Sequence, residues 1–172
     1  MRPNRTSLVM IGRPCLLVAL SIALPIAIAF AQTGTYLPGA KTGAAVGSLE
    51  VFVAFMADHD AGYYAEDAEF HVMAMPEPYV GREAIAGALG VFYGGAFTDT
   101  HVDYLSLVAD GHRVVLEFVY HGTNTGDFMH WPATGARVRV PMMGIYEVHD
   151  GLIMRGRLYF DFATLLIQLG HD

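Results

Sequence analysis

Leu49, Phe52, Val53 and Met56 recur at three- and four-residue spacing, which predicts an amphipathic helix over about 44–58. A short helical piece through Ala61–Ala65 follows it. Glu69 to Ala74 then alternate in polarity as a strand does, and the Pro76-Glu77-Pro78 turn ends them, because proline cannot donate to a ladder. Ile85, Leu89 and Phe92 share one face of a second helix over 82–93, which Gly94-Gly95 stops. Four strands are predicted next, over about 99–108, 112–121, 136–148 and 152–160. Asp110-Gly111 and Asp150-Gly151 between apolar runs read as tight hairpin turns, with positive φ expected at both residues of each. A last helix begins with Asp161 as its cap and stops at Gly170. This order predicts an α+β cone of the cystatin-like kind. A curved antiparallel sheet wraps the N-terminal helices, encloses a cavity, and is followed by a short C-terminal helix.

Strand alternation offers two faces for each strand. Phe70, Val72 and Ala74 oppose Glu69, His71 and Met73; Leu116, Phe118 and Tyr120 oppose Arg113, Glu117 and His121. Tyr146 and Val148 oppose Glu147 and His149, and Met154, Gly156, Leu158 and Phe160 oppose Arg155, Arg157 and Tyr159. Burying unpaired charge costs several kcal/mol, so the apolar set is assigned inward and the charged set toward water or a partner subunit. The inner wall then carries no carboxylate, histidine or arginine from these strands. Its polar groups are the phenols of Tyr120 and Tyr146.

The N-terminal residues belong to a different pattern. Arg2, Arg5 and Arg13 precede an uncharged run from Cys15 to Phe30, which closes on Ala29-Phe30-Ala31. That is the layout of a signal peptide over 1–31. A retained anchor is the alternative, but the run is shorter than the about 20 residues that a spanning helix needs, and Pro25 interrupts it. A flexible lead-in over 32–43 and one domain over 44–172 follow. Export to the periplasm or beyond is expected, with no membrane attachment after cleavage. Of 172 residues, 141 remain after residue 31, with seven basic and all seventeen acidic side chains, a net charge of −10. So acidic a chain argues against nucleic acid and anionic membranes. The only cysteine is Cys15, so the mature part has neither disulfide nor thiol nucleophile.

Several short segments stand in a familiar order: Tyr64-Ala65-Glu66-Asp67, Gly81-Arg82-Glu83-Ala84-Ile85, Pro132-Ala133-Thr134-Gly135, Asp150-Gly151-Leu152-Ile153 and Tyr159-Phe160-Asp161-Phe162. From Leu49 to Gly170 the chain resembles the nuclear transport factor 2-like superfamily, above all limonene epoxide hydrolases and SnoaL-like polyketide cyclases. Gly122-Thr123-Asn124-Thr125-Gly126 and Gln168-Leu169-Gly170 are closer to the cyclases. The resemblance implies the cone fold and a homodimer. It also implies catalytic positions that this chain does not fill. The hydrolase tyrosine and asparagine fall on Phe70 and Val72, the arginine on Phe118, and the two aspartates on Tyr120 and Leu158. The cyclase aspartate again falls on Leu158, and its accompanying histidine on Gly144.

The candidates that remain are Tyr120, Tyr146 and Asp161 for catalysis, with capping of the last helix the plainer role of Asp161. Phe70, Val72, Leu116, Phe118, Trp131, Met142, Leu158 and Phe160 are expected to contact a small apolar or aromatic ligand. Trp131, Met129, Met142 and Met143 are candidates for a lid or mouth. His101 and Asp103 share a strand face, and His71 and His121 are candidate strand neighbours. No paired His/Cys spacing occurs, however, and neither metal nor cofactor is expected. Two functions stay open: a cyclase, isomerase or hydrolase of polyketide-like or terpenoid-like substrates, or a non-catalytic carrier. A buried Asp161 with a raised pKa favours the first, and a wall without any ionisable group favours the second.

Overall fold

In the computed structural model, residues 43–171 are described. The signal peptide predicted over 1–31, and the lead-in over 32–43 except Gly43, lie outside the described residues. Helix α1 spans Gly43–Asp58, and a single 3-10 turn, Ala61–Tyr63, leads into strand β1, Tyr64–Val72. Strand β2 is the pair Tyr79–Val80, followed by helix α2, Arg82–Gly90. Strands β3 (Phe97–Asp110), β4 (Arg113–Asn124), β5 (Arg137–His149) and β6 (Leu152–Phe160) form the long meander, and α3 covers Phe162–Gln168. Among the described residues no helix is long and apolar enough to cross a membrane.

All six strands join one curved sheet in the order β2-β1-β6-β5-β4-β3. The sheet is mixed, not purely antiparallel as the sequence suggests. β1 runs parallel to β6, with Phe70 opposite Gly156 and Val72 opposite Leu158. A parallel pair requires a long crossover, and α2 with the β3–β5 meander supplies it. Strand β1 begins at Tyr64, where helical structure was expected, because Tyr64 and Ala65 bury their side chains against the core. One hairpin turn agrees with expectation: Asp150 and Gly151 have φ of 50° and 79°. The other is shifted. Asp110 pairs with Arg113, so Gly111-His112 forms the turn, and only Gly111, with φ of 58°, needs the left-handed region.

The two faces of the sheet separate as alternation predicts. Phe70, Val72, Leu116, Phe118, Tyr120, Tyr146, Val148 and Leu158 are all buried. On the opposite face Arg155 bridges Glu69 at 3.5 Å and Glu147 at 3.3 Å, and Arg157 meets Glu147 at 3.0 Å. Two assignments fail. Ala74, expected inward, is exposed, because β1 ends at Val72 and Ala74 lies in the turn beyond it. Met154, expected inward, is 36% exposed, and the buried residue is Ile153. Glu147 pairs with Arg155 and Val148 with Ile153, so Met154 is the extra residue of a bulge, which reverses the parity of the strand below it.

Candidate functional site

The end of α1 supplies the first unusual side chain. Phe52, Phe55 and Met56 are buried, and the next position on their face, seven residues after Phe52, is His59. His59 closes the helix in the left-handed conformation, with φ of 56°, and its N–H donates to Phe55 O at 2.8 Å. Histidine enters that region more readily than most side chains. Its ring is thereby carried inward. There it lies flat on Tyr93, with centroids 3.6 Å apart and planes 19° from parallel. Tyr93 is held from the other side by a wide turn after α2, where Ala96 N–H donates to Val91 O at 2.9 Å. Tyr93 itself has φ −120° and ψ 73°, and the following Gly94 has φ 112°, which a side chain would strain.

Below this stack lies a hollow of about 30 Å³, room for about two waters. From the helices, Phe55, Met56, His59, Leu89, Phe92 and Tyr93 line it. From the sheet come Phe70, Phe118, Tyr120, Met142, Tyr146 and Leu158. Above the stack is an open pocket of about 580 Å³ bounded by the first half of β3, including Asp99, His101 and Tyr104. Met56, His59 and Tyr93 border both spaces. They are the partition.

Tyr146 occupies the centre of the inner wall. A Cβ at Gly144 would stand 2.5 Å from its ring, and one at Gly156 would stand 2.7 Å from the ring of Phe70 and 3.3 Å from that of Tyr146. Two glycines thus make the trough in which Tyr146 lies. The position where the resemblance expects a histidine, Gly144, is empty of side chain because Tyr146 fills that volume. Phe52 packs against the same ring at 4.7 Å.

Six of the eleven residues singled out in the sequence line the hollow: Phe70, Phe118, Tyr120, Met142, Tyr146 and Leu158. Val72 and Leu116 are buried in the core but do not reach it. Phe160 and Asp161 border a separate outer groove, of which Met142 forms the shared edge. Trp131 packs on Phe128, Phe162 and His171 in the loop after β4, away from the hollow. The partition is therefore His59–Tyr93, not the Trp131 and Met129 loop that the sequence suggests. That loop is pinned by Asn124, whose amide donates to Ala96 O at 3.1 Å and to Gly126 O at 2.8 Å, and accepts from Thr134 N–H at 2.8 Å. The Gly-Thr-Asn-Thr-Gly segment is a structural staple.

Asp161 is an exposed N-cap. Its carboxylate accepts from Ala163 N–H, Thr164 N–H and the Thr164 hydroxyl, at 3.0, 3.2 and 2.6 Å. The Thr164 hydroxyl above all, then the Thr164 N–H, holds its pKa below the ordinary carboxylate value. An acid in the hollow it is not. Tyr120 is also committed, its hydroxyl donating to Phe92 O at 2.5 Å.

His59 was not singled out by sequence reasoning. Its signal was the apolar helical stripe, which continues into an imidazole. Burial pulls its pKa from 6.5 down to about 4, opposed in part by the Asp58 carboxylate. The ring is neutral at physiological pH, and its buried Nε2 has no hydrogen-bond partner. The Tyr64 hydroxyl is likewise buried without a partner. Burial raises the pKa of Tyr64, Tyr93 and Tyr146, and the phenols oppose one another's ionisation. All therefore stay protonated. The hollow offers neutral donors and one neutral imidazole, suited to a carbonyl oxygen and an acidic C–H, and carries no fixed charge.

A family model described as SnoaL-like polyketide cyclase matches residues 50–169. No curated protein matches the chain. Among solved structures, a protein designated a SnoaL-like polyketide cyclase from Jannaschia sp. CCS1 is similar at 15% identity, with a TM-score of 0.70 over 77% of this chain and 97% of that one. An epoxide hydrolase of the limonene type from M. tuberculosis is similar at 20% identity and a TM-score of 0.57, over 73% and 90% of the two chains. A ketosteroid isomerase-like fold from Catenulispora acidiphila, in complex with trimethylamine, is similar at 20% identity and a TM-score of 0.58, over 73% and 93%. At these identities the structures speak for the fold.

Proposed function

Because the chain belongs to the SnoaL-like polyketide cyclase family, we propose that its domain takes up a small apolar or aromatic carbonyl compound and acts on it as a cyclase- or isomerase-type enzyme. One observation carries this reading: the buried, partnerless Nε2 of His59 lines both a small inner hollow and an open pocket. Separating His59 from Tyr93 joins the two spaces into one site large enough for such a ligand. The ligand's carbonyl oxygen then accepts from the Tyr146 phenol, and from Tyr93 once it is released. In the tautomer with hydrogen on Nδ1, the Nε2 lone pair takes the proton from the carbon beside the carbonyl. Water reaching the opened site lets the His59 pKa rise from about 4 back toward 6.5, where an imidazole is an effective base near neutrality. Removal of residues 1–31 on export, action outside the cytoplasm, and pairing of two copies belong to the same reading, on the strength of the leader pattern and the family.

Neither of the two criteria set by the sequence decides the matter: Asp161 is exposed, and the wall does contain an ionisable group. The carrier reading retains one supporting observation. Among the described residues no carboxylate lines the hollow. Deuterium exchange separates the two. Incubated in D2O with an aromatic 1,3-diketone, the enzyme accelerates exchange at the central carbon, and His59→Asn lowers that acceleration about 100-fold or more. Saturable binding without accelerated exchange makes the domain a carrier.

A further inference from the structure

Outside this hollow, the outer face of β3 and β4 assembles a second group of side chains. His101 and His121 stand in register across the two strands, and their rings stack with centroids 4.3 Å apart and planes 4° from parallel. Asp103 lies two residues along β3 on the same face as His101. Its Oδ2 is 2.9 Å from Nε2 of His121, so that nitrogen carries the hydrogen of the contact. Among the described residues, His101, Asp103 and His121 are the group of three whose ligand atoms all fall within 4.8 Å of one another. We propose that these three side chains bind a divalent transition-metal ion of the zinc class, with an open coordination position.

The chemistry of the set supports this assignment. Two imidazoles and one carboxylate suit zinc, and three protein ligands with a fourth position left open is the pattern of non-structural zinc sites. Metal–nitrogen bonds of about 2.0–2.1 Å place tetrahedral ligand atoms about 3.3 Å apart. The Asp103–His121 pair is already close to that spacing. An ion would displace the hydrogen the two share, and the exposed His101 ring, whose ligand atom already lies within 4.8 Å of the others, would turn to complete the shell. Backbone pairing fixes all three Cα positions, so little chain entropy is lost on binding. His101 also borders the open pocket above the His59–Tyr93 partition, together with Asp99, whose carboxylate adds negative charge nearby. Arg139, in register with His121 on β5, adds the opposite charge. Affinity should therefore be moderate.

The inference is independent of the proposed enzymology. Untagged protein is titrated with zinc chloride by calorimetry, and with cobalt chloride while the visible absorption of the bound ion is followed. One ion per chain is expected. Asp103→Asn should weaken binding at least about 10-fold, and the double variant His101→Gln, His121→Gln should abolish the one-to-one isotherm. The double variant His112→Gln, His149→Gln removes the other stacked histidine pair, with centroids 4.3 Å apart, and should leave the isotherm unchanged. Absence of one-to-one binding by the native chain, or binding that survives loss of His101 and His121, would overturn the assignment.

Discussion

The two faces of the sheet solve the same problem in opposite ways. The outer face keeps its charges and pairs them in water, as in the Glu69–Arg155–Glu147–Arg157 ladder. The inner face, with the helical elements packed on it, holds hydrogen-bonding groups only in uncharged form: the phenols of Tyr64, Tyr93, Tyr120 and Tyr146, whose pKa burial raises, and one imidazole held neutral down to about pH 4. Reactivity can reside on the second of these faces more readily than on the first. Exposed ionic pairs contribute little and are replaceable. A neutral group without a partner inside a packed wall costs stability and therefore marks the place to look for function.

Moving a charge from one face to the other should have the largest effect. Leu158→Asp restores the carboxylate that the resemblance expects, at a site that is 7% exposed and offers it no cation. It should cost about 3–5 kcal/mol, read as a lowered urea midpoint. Next in size is a change of volume alone. Gly144→Ala sets a methyl 2.5 Å from the Tyr146 ring and should cost about 1–3 kcal/mol, whereas Gly87→Ala on α2, with nothing within 4 Å, should be neutral or slightly stabilising.

The imidazole gives a pH signature of comparable size. Between pH 6.5 and 4 the unfolded chain protonates His59 while the folded chain does not. Its contribution is full above pH 6.5, declines as the pH falls through that window, and is constant below pH 4, with at most about 3 kcal/mol involved. His59→Asn keeps a residue tolerant of positive φ and should flatten this part of the stability profile relative to the native chain. The smallest effect belongs outside. Glu147→Gln should change stability by less than about 1 kcal/mol, and high salt should erase the difference.

Much of this architecture was legible in the chain. Alternation placed Phe70, Phe118, Tyr120, Tyr146 and Leu158 on the inner wall, because a strand has only two faces and one of them carried all the charge. Parity failed where the backbone gained a residue, at the Met154 bulge, for which no local residue pattern gave warning. The parallel pairing of β1 with β6 was equally silent, since it depends on which strand edge a long crossover reaches. Asp161 was read correctly as a cap and misplaced as a pocket acid, because adjacency in sequence to Phe160 did not give adjacency to the hollow. His59 was hidden differently: its helical register was present, but the inward turn depends on a left-handed residue that only tertiary packing against Tyr93 selects.

His59 as a neutral partition with Tyr93 can be checked at its two ring nitrogens, followed by 15N NMR across a pH titration. The imidazole should stay neutral down to about pH 4, and its signals should shift when an aromatic diketone is added. Titration near pH 6.5 with no response to ligand would place His59 in solvent and rule out the partition.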